Sequence, residues 1–354
     1  MNRKKKILVS FVKGLIWCAG FCFIFAGVTK VLQPKYYFTS ASQSPETEMW
    51  KNFYQEPKDS LDVLFLGSSH VYNGIHPIVF YEKTGLTGFD LSSSSQDLPT
   101  SYYFLKEALR FQKPKHVIMD PYGVFYEAFS NTVCYKRSLD DMRWSKVKVE
   151  ACKDWQEYLP EEKMFSRLFT IHDYHGRWEN LTKEDYQEDS MVNHNGYCPY
   201  FDSQTDVAHV YYKKDAVVPD LDETAMKYFE KILKLCEKES ISLILCSVPD
   251  TTWSINHTNK IKNIAETYEI AFIDYNVDEI YDQLGIIEEQ DWKDVGHLNV
   301  YGAVKFTGYM AMDFLEKGLI EKENIDNNPF WREKVKKWNH AYEVGISKKE
   351  VDEE

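Results

Sequence analysis

Three residues far apart in the chain have the types and local spacing of a nucleophile, a base and an orienting acid: Ser69, His297 and Asp294. Ser69 lies in Leu64-Phe65-Leu66-Gly67-Ser68-Ser69-His70, where an apolar strand stops at glycine and delivers a serine just before an expected helix. A serine hydroxyl attacks a carbonyl carbon only if a base takes its proton, and a helix N-terminus offers backbone N–H donors to the oxyanion that forms. Gly-Ser-Ser after a strand is also an ordinary turn with a helix cap, so the serine needs a base from elsewhere before it implies chemistry.

Two of the ten histidines follow a carboxylate by three residues: His209, after Asp206, and His297, in Asp294-Val295-Gly296-His297-Leu298-Asn299. A short turn between Asp and His lets the carboxylate accept the Nδ1–H while Nε2 faces the serine, which fixes tautomer and orientation. His297 is the stronger of the two, because its glycine marks a turn after the strand series and before the last helix of the domain. His209 lies in a β-like run, Val207 to Tyr212. Without the serine motif, Asp294 and Asn299 would read as loop and cap residues of the helix near Tyr301. His70, next to the serine, is expected to point away from it along the helix start.

Positioning such residues needs a rigid frame, and the pattern supplies one. Short β-rich runs at 61–66, 88–91, 115–119, 241–248 and 270–273 alternate with helix-like segments at 97–112, 222–239, 257–268 and 301–316. This alternation predicts a three-layer α/β/α sandwich around a central parallel sheet. The domain spans 60–319, with a linker at 36–59 and a charged extension at 320–354 in which Phe330, Trp331, Trp338 and Tyr342 could pin one helix, the last ten or so residues being frayed. The stretch 121–215 breaks the rhythm and reads as an insertion at the carboxyl edge of the sheet, where ligands bind in open α/β folds. Within it, Tyr174-His175-Gly176-Arg177-Trp178 combines an aromatic platform with a cation, which makes His175, Arg177 and Trp178 candidates for holding a sugar or an anionic group.

The N-terminus carries a different signal. Residues 1–35 hold seven bases and no acid, and the bases Arg3 to Lys6 precede an apolar run from Ile7 to Leu32. At about 1.5 Å per residue the run covers the roughly 30 Å hydrocarbon core of a bilayer. It is expected to be one uncleaved membrane helix with a cytoplasmic N-terminus, leaving the rest of the chain outside. The remaining residues carry 35 bases against 55 acids, a net charge of −20, which excludes a chain built to bind nucleic acid. Of the seven cysteines, Cys18 and Cys22 fall inside the anchor; Cys236 and Cys246 read as core residues. Among Cys134, Cys152 and Cys198 one bridge is conceivable, with no pair favoured by spacing.

With these motifs in order, the sequence resembles the SGNH/GDSL hydrolase superfamily over roughly residues 60–317. That family places its nucleophile in Gly-Asp-Ser after the first strand and an Asp-x-x-His motif near the C-terminus. Gly67 and Ser69 match the ends of the first motif, Ser68 stands in place of its Asp, and Asp294 and His297 match the last. The family's oxyanion-hole glycine has no counterpart in Asp90-Leu91-Ser92-Ser93-Ser94-Ser95-Gln96, where a backbone N–H near Ser95 is expected to serve beside that of Ser69. Its Asn is replaced by Asp120, in Met119-Asp120-Pro121-Tyr122-Gly123; a carboxylate there would repel an oxyanion, so Asp120 reads as structural or substrate-binding.

These departures resemble the membrane-tethered branch that includes the D-alanine-transfer protein of lipoteichoic acid modification and the alginate O-acetylation proteins. The resemblance implies an extracytoplasmic esterase or O-acyltransferase. Its partners would be an acylated glycan or cell-wall polymer and a multi-spanning membrane O-acyltransferase, and it would need no metal or organic cofactor. A catalytically idle glycan-binding or scaffolding protein on the same fold is the alternative reading.

Overall fold

Val63–Gly67 (β1) is buried along its whole length, as expected of a central strand covered on both faces. In the computed structural model, which describes residues 3–34, 45–161, 163–186, 194–205, 217–325 and 328–352, β1 sits in a five-stranded parallel sheet. The others are Gly88–Ser92 (β2), His116–Met119 (β3), Ser242–Ser247 (β4) and Ala271–Asp274 (β5), in spatial order β2-β1-β3-β4-β5. The order reverses between β1 and β3, and the crevice beyond the carboxyl ends of strands at such a reversal is where an open α/β sheet binds ligands. The register sets Gly67 opposite Ser92 and Leu66 opposite Met119, so the segments leaving β1, β2 and β3 emerge side by side.

Helices follow the strands. The described helices run, in chain order, Arg3–Leu32 (α1), Pro45–Phe53 (α2), Ser69–Gly74 (α3), Pro77–Thr84 (α4), Leu98–Ala108 (α5), Thr132–Asp140 (α6), Lys146–Tyr158 (α7), Met164–Leu168 (α8), Ile171–Tyr174 (α9), Glu223–Lys238 (α10), Ile255–Thr267 (α11), Asp278–Leu284 (α12), Val300–Glu316 (α13) and Pro329–Asp352 (α14). Side-chain caps start several of them: Asp97 accepts from Thr100 N, Asp222 from Ala225 N, and Asn299 from Tyr301 N and Gly302 N. The core includes Val63, Phe65, Phe80, Ile118, Ile244, Cys246, Trp292, Phe306 and Phe314. Cys236 and Cys246 are buried within α10 and β4.

The chain divides into two units: Met1–Ser44 with Cys152–Met191, and Pro45–Ala151 with Val192–Glu354. The sheet lies in the second. The 36–59 stretch, expected to be a linker, contains α2, whose Met49, Trp50 and Phe53 are buried. These residues fall on one helical face, and their rings pack against Phe104 (Trp50, 5.0 Å) and Phe89 (Phe53, 5.3 Å). At the other end α14 continues to Asp352, into the stretch expected to fray. Trp331 and Trp338 fix that helix, the latter 4.0 Å from the His76 ring. The first unit contains α1, a helix long and apolar enough to cross a membrane. The 121–215 stretch is shared, with 121–151 in the sheet unit and 152–191 beside α1.

One buried group makes a pH-dependent contribution to this unit. Asp90, on β2, is fully buried with neither carboxylate oxygen hydrogen-bonded among the described residues, and burial pushes its pKa well above the usual carboxylate range. Between the unfolded value near 4 and its raised folded value, the native chain binds a proton that the unfolded chain has released. Stability therefore falls as pH rises through that window. Asp90→Asn, which mimics the protonated carboxyl, is expected to raise the melting temperature, with a gain over wild type that grows from pH 4 toward pH 8 in thermal unfolding. A gain that shrinks with rising pH would contradict this assignment.

Candidate active site

The carboxyl edge of β1 is built to expose a serine. A side chain at Gly67 would collide with Val71 and reach within 2.9 Å of the Asp120 Cβ, so the strand can turn into α3 here only with glycine. Ser68 is buried beneath the turn, while Ser69 begins α3. Ser69 Oγ lies 2.6 Å from His297 Nε2, and His297 Nδ1 lies 2.6 Å from Asp294 Oδ1. A carboxylate only accepts, so Nδ1 carries the proton and the unprotonated Nε2 is free to accept from the serine hydroxyl.

Asp294 and His297 come together because they pair across a two-residue turn between the short strands Trp292–Asp294 (β6) and His297–Leu298 (β7). Asp294 Oδ1 also accepts from Gly296 N at 3.0 Å. Burial pushes the Asp294 carboxyl up, but the His297 hydrogen bond and charge, with the Gly296 N–H, hold it below the ordinary range. It thus remains an anion at neutral pH, as an orienting acid must. The turn is braced from two sides: Thr251 Oγ1 donates to Val295 O, and Asn299 Nδ2 donates to Gln290 O at 2.6 Å.

Ser95 lies in the turn that leaves β2, beside the start of α3 by the Gly67–Ser92 register. Its φ is +48°, a left-handed conformation that glycine adopts without cost. The turn is held by Ser93 Oγ donating to Gln96 Oε1 and by Gln96 Nε2 donating to Leu91 O and Ser101 Oγ. Tyr72 Oη and Ser94 Oγ are 3.0 Å apart, which ties the turn to α3.

Two residues occupy places that sequence reasoning did not give them. His70 was expected to point away from the serine; instead its ring centroid is 5.1 Å from that of His297. Its Nδ1 is 3.5 Å from Asp120 Oδ2 and its Nε2 is 3.6 Å from Asp250 Oδ2, ion-pair distances rather than well-formed hydrogen bonds. Burial lowers the His70 pKa, but Asp120, Asp250 and Asp294 outweigh it and raise the pKa above the ordinary value. Asp120 is buried, and its carboxyl, raised by burial despite the opposing effect of His70, faces that imidazole. Asp120 thus stands at ion-pair distance from an imidazole that the surrounding carboxylates make more basic. Asp250, which sequence reasoning missed, follows β4 and is anchored by Asn276 Oδ1 accepting from its N–H at 2.7 Å. The only signal for it was an Asp just past a strand end.

His175, Arg177 and Trp178 belong to the unit that contains α1, not to the sheet unit. Arg177 Nη1 donates to Leu32 O at 2.6 Å and its Nη2 to Asp185 Oδ1 at 2.7 Å. His175 Nδ1 pairs with His172 O at 2.7 Å, and Trp178 is 66% exposed. Asp206 and His209 lie outside the described residues. Among the described residues no cluster of three or more His, Cys, Asp or Glu side chains could hold a metal ion.

An α/β sheet with a hydrogen-bonded Ser-His-Asp chain at its switch point is thus the class of site that fold and geometry define. No protein-family model and no curated protein matches the chain. Among solved structures it is similar to a candidate acylhydrolase from Bacteroides fragilis, with 11% identity, a TM-score of 0.37, and coverage of 77% of this chain and 96% of that one. It is also similar to a GDSL-like lipase from Bacteroides thetaiotaomicron, with 12% identity, a TM-score of 0.34, and coverage of 77% and 98%. Both likenesses are distant.

Proposed function

We propose that this protein is a membrane-anchored serine esterase or O-acyltransferase that acts outside the membrane on acylated surface polysaccharide. The observation that carries the reading is the continuous chain Asp294 Oδ1, His297, Ser69 Oγ, with both contacts at 2.6 Å. Ser69 Oγ attacks the ester carbonyl and its proton passes to His297 Nε2. The tetrahedral oxyanion takes hydrogen bonds from the backbone N–H groups of Ser69 and of the Ser95 turn. As the C–O bond to the leaving alcohol breaks, His297 returns the proton to that alcohol, leaving an acyl-Ser69 ester. A second hydroxyl, deprotonated by His297, then attacks the acyl carbon and releases Ser69. Water as that hydroxyl gives hydrolysis, and a sugar gives transfer.

The acidic chain beyond the anchor favours a neutral or amino-sugar glycan over a polyphosphate acceptor. A multi-spanning O-acyltransferase in the same membrane is the partner that would supply or receive acyl groups. The test is incubation of the full-length protein with O-acetylated polysaccharide, with and without a free sugar acceptor, and with casein. Acetate release, or acetyl transfer onto the acceptor, is expected with casein left intact. Cleavage of casein with the polysaccharide untouched would point to a peptidase and overturn the reading.

A further inference from the structure

The segment beside α1 has a feature that the proposed chemistry does not use. Phe169 packs against Phe25 of α1 with ring centroids 6.0 Å apart, Thr170 Oγ1 reaches Gln33 Oε1 at 3.3 Å, and Arg177 Nη1 donates to Leu32 O at 2.6 Å. Arg177 is itself held by Asp185, whose other oxygen accepts from Thr182 N at 2.9 Å. The segment therefore clasps the last turns of α1 at both the side and the end. Phe25 precedes Leu32 by seven residues, about 10 Å along the helix axis.

The apolar run from Ile7 to Leu32 is about 39 Å long as a helix, longer than a hydrocarbon core of roughly 30 Å. With Arg3 to Lys6 held at one headgroup layer, the turns from Phe25 to Leu32 arrive at the opposite one. Whatever clasps those turns sits at that depth. The clasping segment exposes Phe165, Trp178 and Tyr186, at 61%, 66% and 67%. Trp and Tyr rings partition to the membrane–water boundary, where the ring meets apolar chains and its N–H or O–H meets water, and an exposed Phe ring beside them reaches the apolar side of that boundary. Lys163 and Lys183, both exposed on the same segment, suit the phosphate level of the same layer.

We infer that residues 163–186 form an interfacial collar seated in the outer headgroup layer around the end of α1, with Phe165, Trp178 and Tyr186 as its bilayer-facing anchors. The inference rests on α1 crossing the membrane. Its consequence is mechanical: the collar fixes the depth of the helix end and spreads the attachment beyond a single helix.

Two tryptophans make the collar and the anchor separately readable. Full-length protein is reconstituted in phosphatidylcholine vesicles whose acyl chains are brominated either near the headgroups or near the bilayer centre, and iodide is added as an aqueous quencher. The difference in emission between wild type and Trp178→Phe reports the collar; the difference between wild type and Trp17→Phe reports mid-span α1. Trp178 is exposed, so its replacement by Phe is expected to leave thermal unfolding nearly unchanged. Tyr186→Trp provides a second collar probe. The collar components are expected to lose most of their emission to the shallow bromines and little to iodide, while the Trp17 component is quenched by the deep bromines. Collar emission quenched by iodide and untouched by either brominated lipid would overturn the proposal and leave those aromatics as a surface for a protein partner. If the Trp17 component escapes the deep bromines, it is the membrane-spanning reading of α1 that fails, and the collar fails with it.

Discussion

Ser69→Ala is expected to remove ester turnover by a factor on the order of 10⁴ to 10⁶ in kcat, with folding intact. The size follows from what the hydroxyl does. Without Oγ there is no acyl-enzyme, and only the oxyanion donors and substrate binding remain to assist direct attack by water. The loss of stability should be small, because among the described residues Ser69 contributes one part-buried side-chain hydrogen bond, to His297 at 2.6 Å, and does not belong to the hydrophobic core. Hydrolysis of an activated ester, measured beside thermal unfolding, separates the two. A variant that retains more than a hundredth of wild-type turnover would place the nucleophile elsewhere.

Asp294→Asn is expected to lower kcat by about 10⁴ while leaving KM little changed, because the amide favours the wrong imidazole tautomer. In the native site the carboxylate can only accept, so His297 keeps its proton on Nδ1 and presents a bare Nε2 to Ser69. An amide at the same place donates to Nδ1, the proton moves to Nε2, and the base is lost without a change of shape. Asp294 Oδ1 also accepts from the Gly296 N–H at 3.0 Å, a contact that is lost when the amide nitrogen stands in the place of that oxygen. Raising the pH is not expected to restore activity, since the defect is in tautomer and not in ionisation. Recovery of wild-type rates at alkaline pH would mean that Asp294 acts only through its charge.

The sequence made some parts of this site easy to read and others impossible. Asp294 and His297 are close in the chain and meet across one turn, so their partnership is local. Ser69 is legible because strand, glycine and serine are consecutive, and the alternation of β-rich and helical segments predicts a parallel sheet whose strand ends carry them. His70 was misread because a helix start turns successive side chains apart, and that same divergence carries His70 into the crevice formed by the segments after β3 and β4. Asp250 belongs to that crevice through tertiary structure alone. The absence of a glycine after β2 was legible, but the positive φ of Ser95 was not, since a run of four serines carries no mark of which one turns. Arg177 illustrates the opposite limit: an aromatic–cation cluster looks the same in sequence whether the cation awaits a ligand or holds a helix end, as it does here at Leu32 O.

The central claim is that Ser69 is an activated nucleophile, and covalent labelling tests it without assuming any natural substrate. The full-length protein is treated with a fluorophosphonate, digested, and the modified residue located by mass spectrometry. The geometry predicts a single phosphonyl adduct on Ser69, absent from Ser69→Ala and strongly slowed in Asp294→Asn. An unlabelled wild type, or an adduct that persists on another residue in Ser69→Ala, would contradict it.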